Sequence, residues 1–339
     1  MKLLVWGAGA IGGTIGAHLA RAGHDVTFVD RVGEHVARIR AQGLRITGPI
    51  GEFVTHAPAF TPDELGGSFA HVVLAVKAQD TEDATRALAP HLARDGYVVS
   101  AQNGLNELVI KSIVGDARTV GCFVNFGADY LEPGVVQYAG RGAVVVGEID
   151  GRVTPRLAEL HQALRDFEEH AVLTTNIWGY LWGKLGYGAQ LFATALTNDS
   201  IADALAAPAY REVYVELARE VMRVARARGI TPEGFDGFDP SAFAPEADAA
   251  RSEHSLDEMV EFNRRSAKTH SGVWRDIAVR RRRTEVDAQL GPIVRLGAEA
   301  GVTTPLVARL IELVHDVEEA RRPQSRETLG LLKDALVRT

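Results

Sequence analysis

Gly7-Ala-Gly-Ala-Ile-Gly12 lies between the apolar run Leu3-Leu4-Val5-Trp6 and a segment in which Ile11, Ile15 and Leu19 recur at helical spacing. Strand, glycine turn, helix is the order that a dinucleotide-binding fingerprint requires. In that reading Gly7 permits the tight turn and Gly9 lets the backbone approach a pyrophosphate. Gly12 lets the helix pack closely on the strand. Ala10 and Ile11 open the helix, whose N-terminus offers free N–H groups and a positive dipole end to phosphates. Gly7, Gly9, Ala10, Ile11 and Gly12 are therefore the expected cofactor-binding residues.

Outward from this turn the pattern keeps alternating. Gly23-His24 stops the helix, and Asp25-Val-Thr-Phe-Val29 reads as a second strand. His71-Val-Val-Leu-Ala-Val76 is short and apolar enough for a strand buried on both faces. Tyr97–Ser100 and Thr119–Phe123 follow, with helical stretches between. This βαβ rhythm predicts an α/β fold with a parallel, doubly wound Rossmann-type sheet. Past Pro133-Gly134, Val135–Tyr138 and Ala143–Val146 flank Ala139-Gly-Arg-Gly142 and read as an antiparallel hairpin. From about Asn176 the chain turns helical. Trp178, Leu181, Trp182 and Leu185 mark one apolar face, and three further amphipathic stretches run from Ala209, Val286 and Val307. Residues 229–250 are rich in Gly, Pro, Phe and acids and read as a long loop or lid. We expect a dinucleotide-binding domain over residues 1–172 and an all-α substrate and dimerisation domain over residues 173–339, with the active site in the cleft between them.

Asp30 ends the second strand, eighteen residues after Gly12. An acid there accepts hydrogen bonds from the adenosine ribose and repels a 2′-phosphate, which favours NAD. Arg31 follows at once, and a guanidinium there can grip the 2′-phosphate of NADP. Both cofactors stay open, with NAD slightly favoured.

The bulk composition narrows the class. The 339 residues are 46% hydrophobic and 24% charged, ordinary for a soluble globular chain of about two domains. A net charge of −7 disfavours nucleic acid as the main partner. No apolar run reaches the roughly 18–20 residues that span a membrane, and no secretion signal is read. One cysteine, Cys122, excludes an internal disulfide and fits a reducing cytoplasm. CxxC, HExxH and clustered carboxylates are missing, so no metal site is expected. The run Arg280 to Arg283 spreads around a helix, as a solvated and ion-paired surface does, although some of it could receive a substrate carboxylate.

Gly7–Gly12, Val76-Lys-Ala-Gln79, Gln102-Asn-Gly-Leu105, Trp182-Gly-Lys-Leu185 and Thr284-Glu-Val-Asp287 occur in an order and spacing that resemble the ketopantoate reductase (2-dehydropantoate 2-reductase) family. The resemblance implies a helical C-terminal domain of the 6-phosphogluconate-dehydrogenase type. It also implies hydride transfer between a nicotinamide and a 2-oxo or 2-hydroxy acid. By this resemblance Lys77 sits near the cofactor, and Asn103 borders the nicotinamide and substrate. Lys184 is the general acid/base, and Glu285 is the carboxylate that closes the site. The chemistry is sensible on its own: a lysine ammonium can polarise a carbonyl oxygen and then protonate it.

The pattern departs from the family beyond Lys184. Asparagines four and eight residues on are replaced by Gly188 and Phe192, so hydrogen-bonding partners for substrate hydroxyls are lost and apolar bulk is added. The family's Ser-Ser-Met segment resembles His270-Ser-Gly-Val-Trp-Arg-Asp276, where His270, Ser271 and Trp274 could build a different substrate wall or simply start and pack a helix. These departures point to a bulkier or more apolar 2-oxo acid, or to a hydroxy-acid dehydrogenase working oxidatively. A dinucleotide sensor without turnover is the competing class. A homodimer is expected.

Overall fold

The computed structural model describes residues 1–235, 237–265 and 269–336. The chain forms two compact units, Met1–Ile177 and Trp178–Thr339.

In the first unit, strand β1 (Lys2–Trp6) leads through the glycine turn into helix α1 (Ala10–Arg21) and β2 (Asp25–Val29). Then come α2 (Gly33–Gln42), β3 (Leu44–Thr47), β4 (Phe53–Thr55), β5 (Ala59–Phe60) and β6 (Phe69–Leu74). Helix α3 (Thr81–Leu88), β7 (Leu92–Ser100), α4 (Glu107–Val114), β8 (Thr119–Glu132), β9 (Val135–Glu148), α5 (Pro155–Arg165) and β10 (Val172–Leu173) complete it. The sheet order is β4-β3-β9-β8-β7-β6-β1-β2-β5, with β10 beside β9. Six of these strands, β5-β2-β1-β6-β7-β8, run parallel in the doubly wound order. Strand order reverses between β1 and β6, so the ends of these two strands frame the place where such sheets bind ligands. Both faces are covered, which is why Leu3, Leu4, Val5, Val72, Val73 and Leu74 form uninterrupted apolar runs at 2% exposure or less.

The region after Pro133 corrects the expected hairpin. Val135–Glu148 is one continuous strand, and its antiparallel partner is β8, turning at Pro133-Gly134. Ala139-Gly-Arg-Gly142 is a pair of register shifts inside that ladder rather than a turn. A Cβ on Gly142 would lie 1.8 Å from the Asn125 carbonyl oxygen, so this glycine serves close backbone approach in a bulged strand. The β9 arm packs on α1, where the Tyr138 and His18 rings meet edge to face at 5.3 Å.

The second unit is helical: α6 (Ile177–Thr194, begun at the last residue of the first unit), α7 (Ile201–Ala206), α8 (Arg211–Ala227), α9 (Ala249–Arg265), α10 (Gly272–Ala278), α11 (Val286–Glu299), α12 (Pro305–Glu318), α13 (Arg326–Gly330) and α14 (Lys333–Leu336). Helix α8 carries a stripe of ten buried residues. One of them is Glu220, fully buried, whose carboxylate accepts the N–H groups of Leu306 and Val307 at 2.9 and 2.8 Å. It caps the N-terminus of α12, and burial pushes its pKa up to about 7 against the pull of those two N–H groups. Up to Asp248 the described residues of the 229–250 segment form the expected loop, with a 3-10 turn at Pro240–Phe243, and the loop is anchored. Phe238 and Phe243 are buried and stacked with ring centroids 5.3 Å apart, and the Glu233 N–H donates to the Gly179 carbonyl on α6. Helix α9 went unread in the sequence. Among the described residues, no helix is long and apolar enough to cross a membrane.

Candidate active site

The glycine turn divides into two packed glycines and one open one. Gly7 has φ +98°, and a Cβ there would lie 2.9 Å from the Ala75 backbone at the end of β6. At Gly12 it would meet the Gly7 carbonyl at 2.1 Å and the Ala75 side chain at 2.9 Å. At Gly9 it would meet nothing within 4 Å. Internal packing therefore explains Gly7 and Gly12 but not Gly9, where the unobstructed backbone faces outward. Gly9 is also the N-cap of α1; no side chain caps it and the first turn carries no acid. Ala10 and Ile11 begin the helix. The free N–H groups at this end fit the phosphates of a dinucleotide.

Two side chains clamp the turn from behind. Asp30 accepts the Ala8 N–H on one carboxylate oxygen (3.0 Å) and the Val32 N–H on the other (2.9 Å). His35, fully buried on α2, lies 2.9 Å from the Ala8 carbonyl through Nε2, while its Nδ1 takes the Gly134 N–H at 2.8 Å. A backbone N–H can only donate. Nδ1 is therefore the acceptor, and Nε2 carries the proton given to Ala8. His35 must be neutral to make both bonds. Nothing in the local sequence singled it out. Arg31 reaches the other way, pairing with Asp80 at 2.9 Å with its side chain 73% exposed.

Lys77 follows β6, half-buried, at the N-cap of a short 3-10 turn. Asn103 is exposed on the turn after β7, while its neighbours Gln102 and Asn106 are 5% and 4% exposed. The turn thus presents one amide outward and ties the others inward.

On α6 Lys184 is half-buried between fully packed residues. Gly183 and Gly186 are held by contact: a Cβ on Gly183 would lie 2.1 Å from the Glu233 carbonyl, and one on Gly186 would lie 2.5 Å from Met222. Gly188 lies one turn after Lys184 on the same face, and a Cβ there would meet nothing within 4 Å. Phe192 is packed away at 1% exposure. Tyr187 flanks Lys184 at the i+3 position, and its hydroxyl meets the Asn263 amide at 3.0 Å. Burial pushes its pKa up to about 12, so it stays a neutral phenol.

Ser271 is buried and N-caps α10, accepting the Trp274 N–H at 3.1 Å. His270 and Trp274 lie against each other with ring centroids 4.0 Å apart. Both reach Asn198: the indole N–H donates to its side-chain oxygen at 3.2 Å, and the His270 Nε2 lies 3.4 Å from its carbonyl. Asn198 joins them only in three dimensions. Glu285 is the N-cap residue of α11. The arginines before it are largely engaged: Arg280 and Arg282 pair with Asp276 at 3.1 and 2.8 Å, and Arg283 pairs with Glu319. Among the described residues no group of three or more metal-ligating side chains comes together.

Two family models match this chain: Ketopantoate reductase PanE/ApbA over residues 3–151, and Ketopantoate reductase PanE/ApbA C terminal over residues 176–318. The chain belongs to the ketopantoate reductase family. It is thus an oxidoreductase of that family. The 2-dehydropantoate 2-reductase of Archaeoglobus fulgidus is 30% identical over 319 residues, covering 94% of this chain and 98% of the relative. That of Pyrococcus horikoshii is 28% identical, covering 97% and 99%. Among solved structures, a PanE/ApbA family ketopantoate reductase from Ralstonia eutropha aligns at TM-score 0.79 and 26% identity over 94% of this chain and 99% of its own. D-mandelate dehydrogenase, solved with NADH and anilino(oxo)acetate, aligns at TM-score 0.81 and 23% identity over the same shares, a likeness of fold.

Proposed function

We propose that this ketopantoate reductase family member transfers a hydride between a nicotinamide dinucleotide and a 2-oxo or 2-hydroxy acid, with Lys184 as general acid/base. The bound nicotinamide supplies the hydride. The α1 N-terminus, with Gly9 open before it, holds the pyrophosphate, and Asp30 faces the adenosine ribose. Each Asp30 oxygen already takes one backbone N–H and keeps a lone pair for a ribose hydroxyl. Asp30 supports NAD, while Arg31, whose pair with Asp80 lies at the surface, keeps NADP open. Lys77 and Asn103 border the nicotinamide. In reduction the Lys184 ammonium polarises the carbonyl oxygen and gives it a proton; in oxidation the amine takes that proton back. Glu285 is the carboxylate that closes the site.

The observation that carries the substrate reading is the open space at Gly188, one turn from Lys184. The family amide is missing there, and a Cβ at this position would meet no atom within 4 Å. A substrate with a larger or more apolar group beside the carbonyl fits this better than one that needs an amide for its hydroxyl. Steady-state assays of a panel of 2-oxo acids, ketopantoate included, with NADH and NADPH test this. We expect an apolar acid to give a higher kcat/KM than ketopantoate. We also expect Gly188→Asn, which the space accommodates, to shift that ratio toward ketopantoate by about tenfold, the worth of one hydrogen bond of roughly 1.4 kcal/mol. Ketopantoate as the best substrate of the unmodified enzyme would overturn the substrate reading. No turnover of any acid with either cofactor would overturn the enzymatic one and leave a dinucleotide sensor.

A further inference from the structure

Between the ends of β6 and β7 runs a continuous chain of buried, uncharged side chains. The Gln102 amide donates twice, to the Val76 carbonyl at 2.9 Å and to the Thr81 hydroxyl oxygen at 2.8 Å. The Thr81 hydroxyl in turn donates to the Asn106 side-chain oxygen at 2.9 Å. The Asn106 amide donates to the main-chain carbonyl of Asn103 at 2.7 Å. All three side chains are 5% exposed or less. The first carbonyl belongs to the residue before Lys77, and the last belongs to Asn103. The two loops that carry these candidate cofactor residues are therefore tied through side chains, in addition to the strand ladder behind them.

We propose that Gln102, Thr81 and Asn106 are positioning residues that fix the spacing of Lys77 and Asn103 for the dinucleotide. The proposal rests on the functional reading above. The residue types follow from the task. Only a hydroxyl can accept from one amide and donate to the next at a single atom, so Thr81 is the hinge of the chain. Among uncharged side chains only an amide can satisfy two acceptors with one nitrogen, as Gln102 does. Buried hydrogen bonds in series polarise one another, and breaking one strands polar groups that water cannot reach. The chain holds no charge, so it imposes geometry without shifting the electrostatics next to a nicotinamide. It also explains the contrast within one turn: Asn106 is spent on the scaffold, and Asn103 is left exposed for a ligand.

Thr81→Val removes the hydroxyl while keeping the shape, and Thr81→Ser restores it. The measurements are NADH and NADPH dissociation constants by nicotinamide fluorescence, taken well below the melting temperature of each variant. We expect Thr81→Val to weaken binding about tenfold and Thr81→Ser to return it to within about twofold of the parent. A group that only stabilised the fold would lower Tm and leave these constants unchanged. Unchanged constants in a folded Thr81→Val protein overturn the proposal. Should that variant not fold, Asn106→Ala breaks the last two links, the one from Thr81 and the one to Asn103, and is read in the same way. Failure of the parent protein itself to bind either dinucleotide would instead overturn the functional reading, so the two failures are distinct.

Discussion

The turn carrying Asn103 and the segment carrying Glu285 each present one candidate site residue, and they are held in opposite ways. Neutral amides and a hydroxyl, all buried, secure the first. Charges secure the second. The Thr284 N–H donates to Glu318 at 2.6 Å, and His315 lies between Glu318 and Asp287 at 2.9 Å each. Burial by itself would lower the His315 pKa, but the two carboxylates outweigh it and raise the value above 6.5. The difference teaches that a loop near a cofactor can be made rigid without a field, whereas a loop at a helix start can be clamped by ions that respond to pH and salt.

The scale of any loss through either loop is set by Lys184 itself. Lys184→Ala should lower kcat by about 10²–10⁴-fold, the usual worth of a general acid, with dinucleotide binding kept. Normal turnover of that variant would end the assignment.

Next in size comes the neutral side of the comparison, tested at the glycine turn it adjoins. Gly9→Ala should leave Tm unchanged, because its methyl meets no atom, yet weaken dinucleotide binding by more than about tenfold. Gly12→Ala should lower Tm by several degrees through its clash with the Gly7 carbonyl. Equal Tm losses for both would show that Gly9 is a folding glycine and no cradle.

One carboxyl breaks the neutrality of the Asn103 turn in name only. Glu107, directly after Asn106, is fully buried, and only its own N–H and the Ser100 hydroxyl oppose the effect of burial on its carboxyl. Burial pushes its pKa up to about 8, so it is a neutral acid at pH 7. It ionises near 4.5 when unfolded, so the unfolded chain loses its proton first and stability falls as pH climbs from 4.5 to about 8. Glu107→Gln should remove that slope. Its Tm should exceed the parent's at pH 8 by at least about 2–4 °C, equivalent to about 1 kcal/mol, with the gap closing near pH 4. A gap that does not change with pH would assign the titration to another group.

The smallest effect belongs to the charged clamp. His315 has a raised pKa, so its contribution is fully present below pH 6.5 and is lost as pH rises through the raised value. The pair is partly exposed, so the change should be under about 1 kcal/mol. Thermal melts of His315→Gln against the parent between pH 5 and 9 read it: the two curves should approach one another at high pH. Curves that stay parallel would show that His315 does not titrate in the clamp.

How far the site was legible in the sequence follows the same division. Lys184 and the glycine turn stand in local patterns, a helical apolar face and a strand–turn–helix. Gly140 and Gly142 looked like a turn because glycines do make turns; the role of Gly142 is set by Asn125 on the facing strand, and Gly140 pairs with Gly127. Thr81, Asn106, His35 and His315 carry no local signal, since a lone polar residue on a helix reads as solvated until a distant partner is known.

The sequence by itself determined the alternation of elements and the fingerprint turn, and it named the candidate chemistry-bearing residues. These depend on periodicity and on backbone freedom within a few residues. Only the tertiary structure decided which polar groups are buried together, which glycine is open, and that His35 must be neutral. Those facts depend on contacts between segments tens of residues apart, such as His35 with Gly134, where burial makes hydrogen-bond satisfaction obligatory.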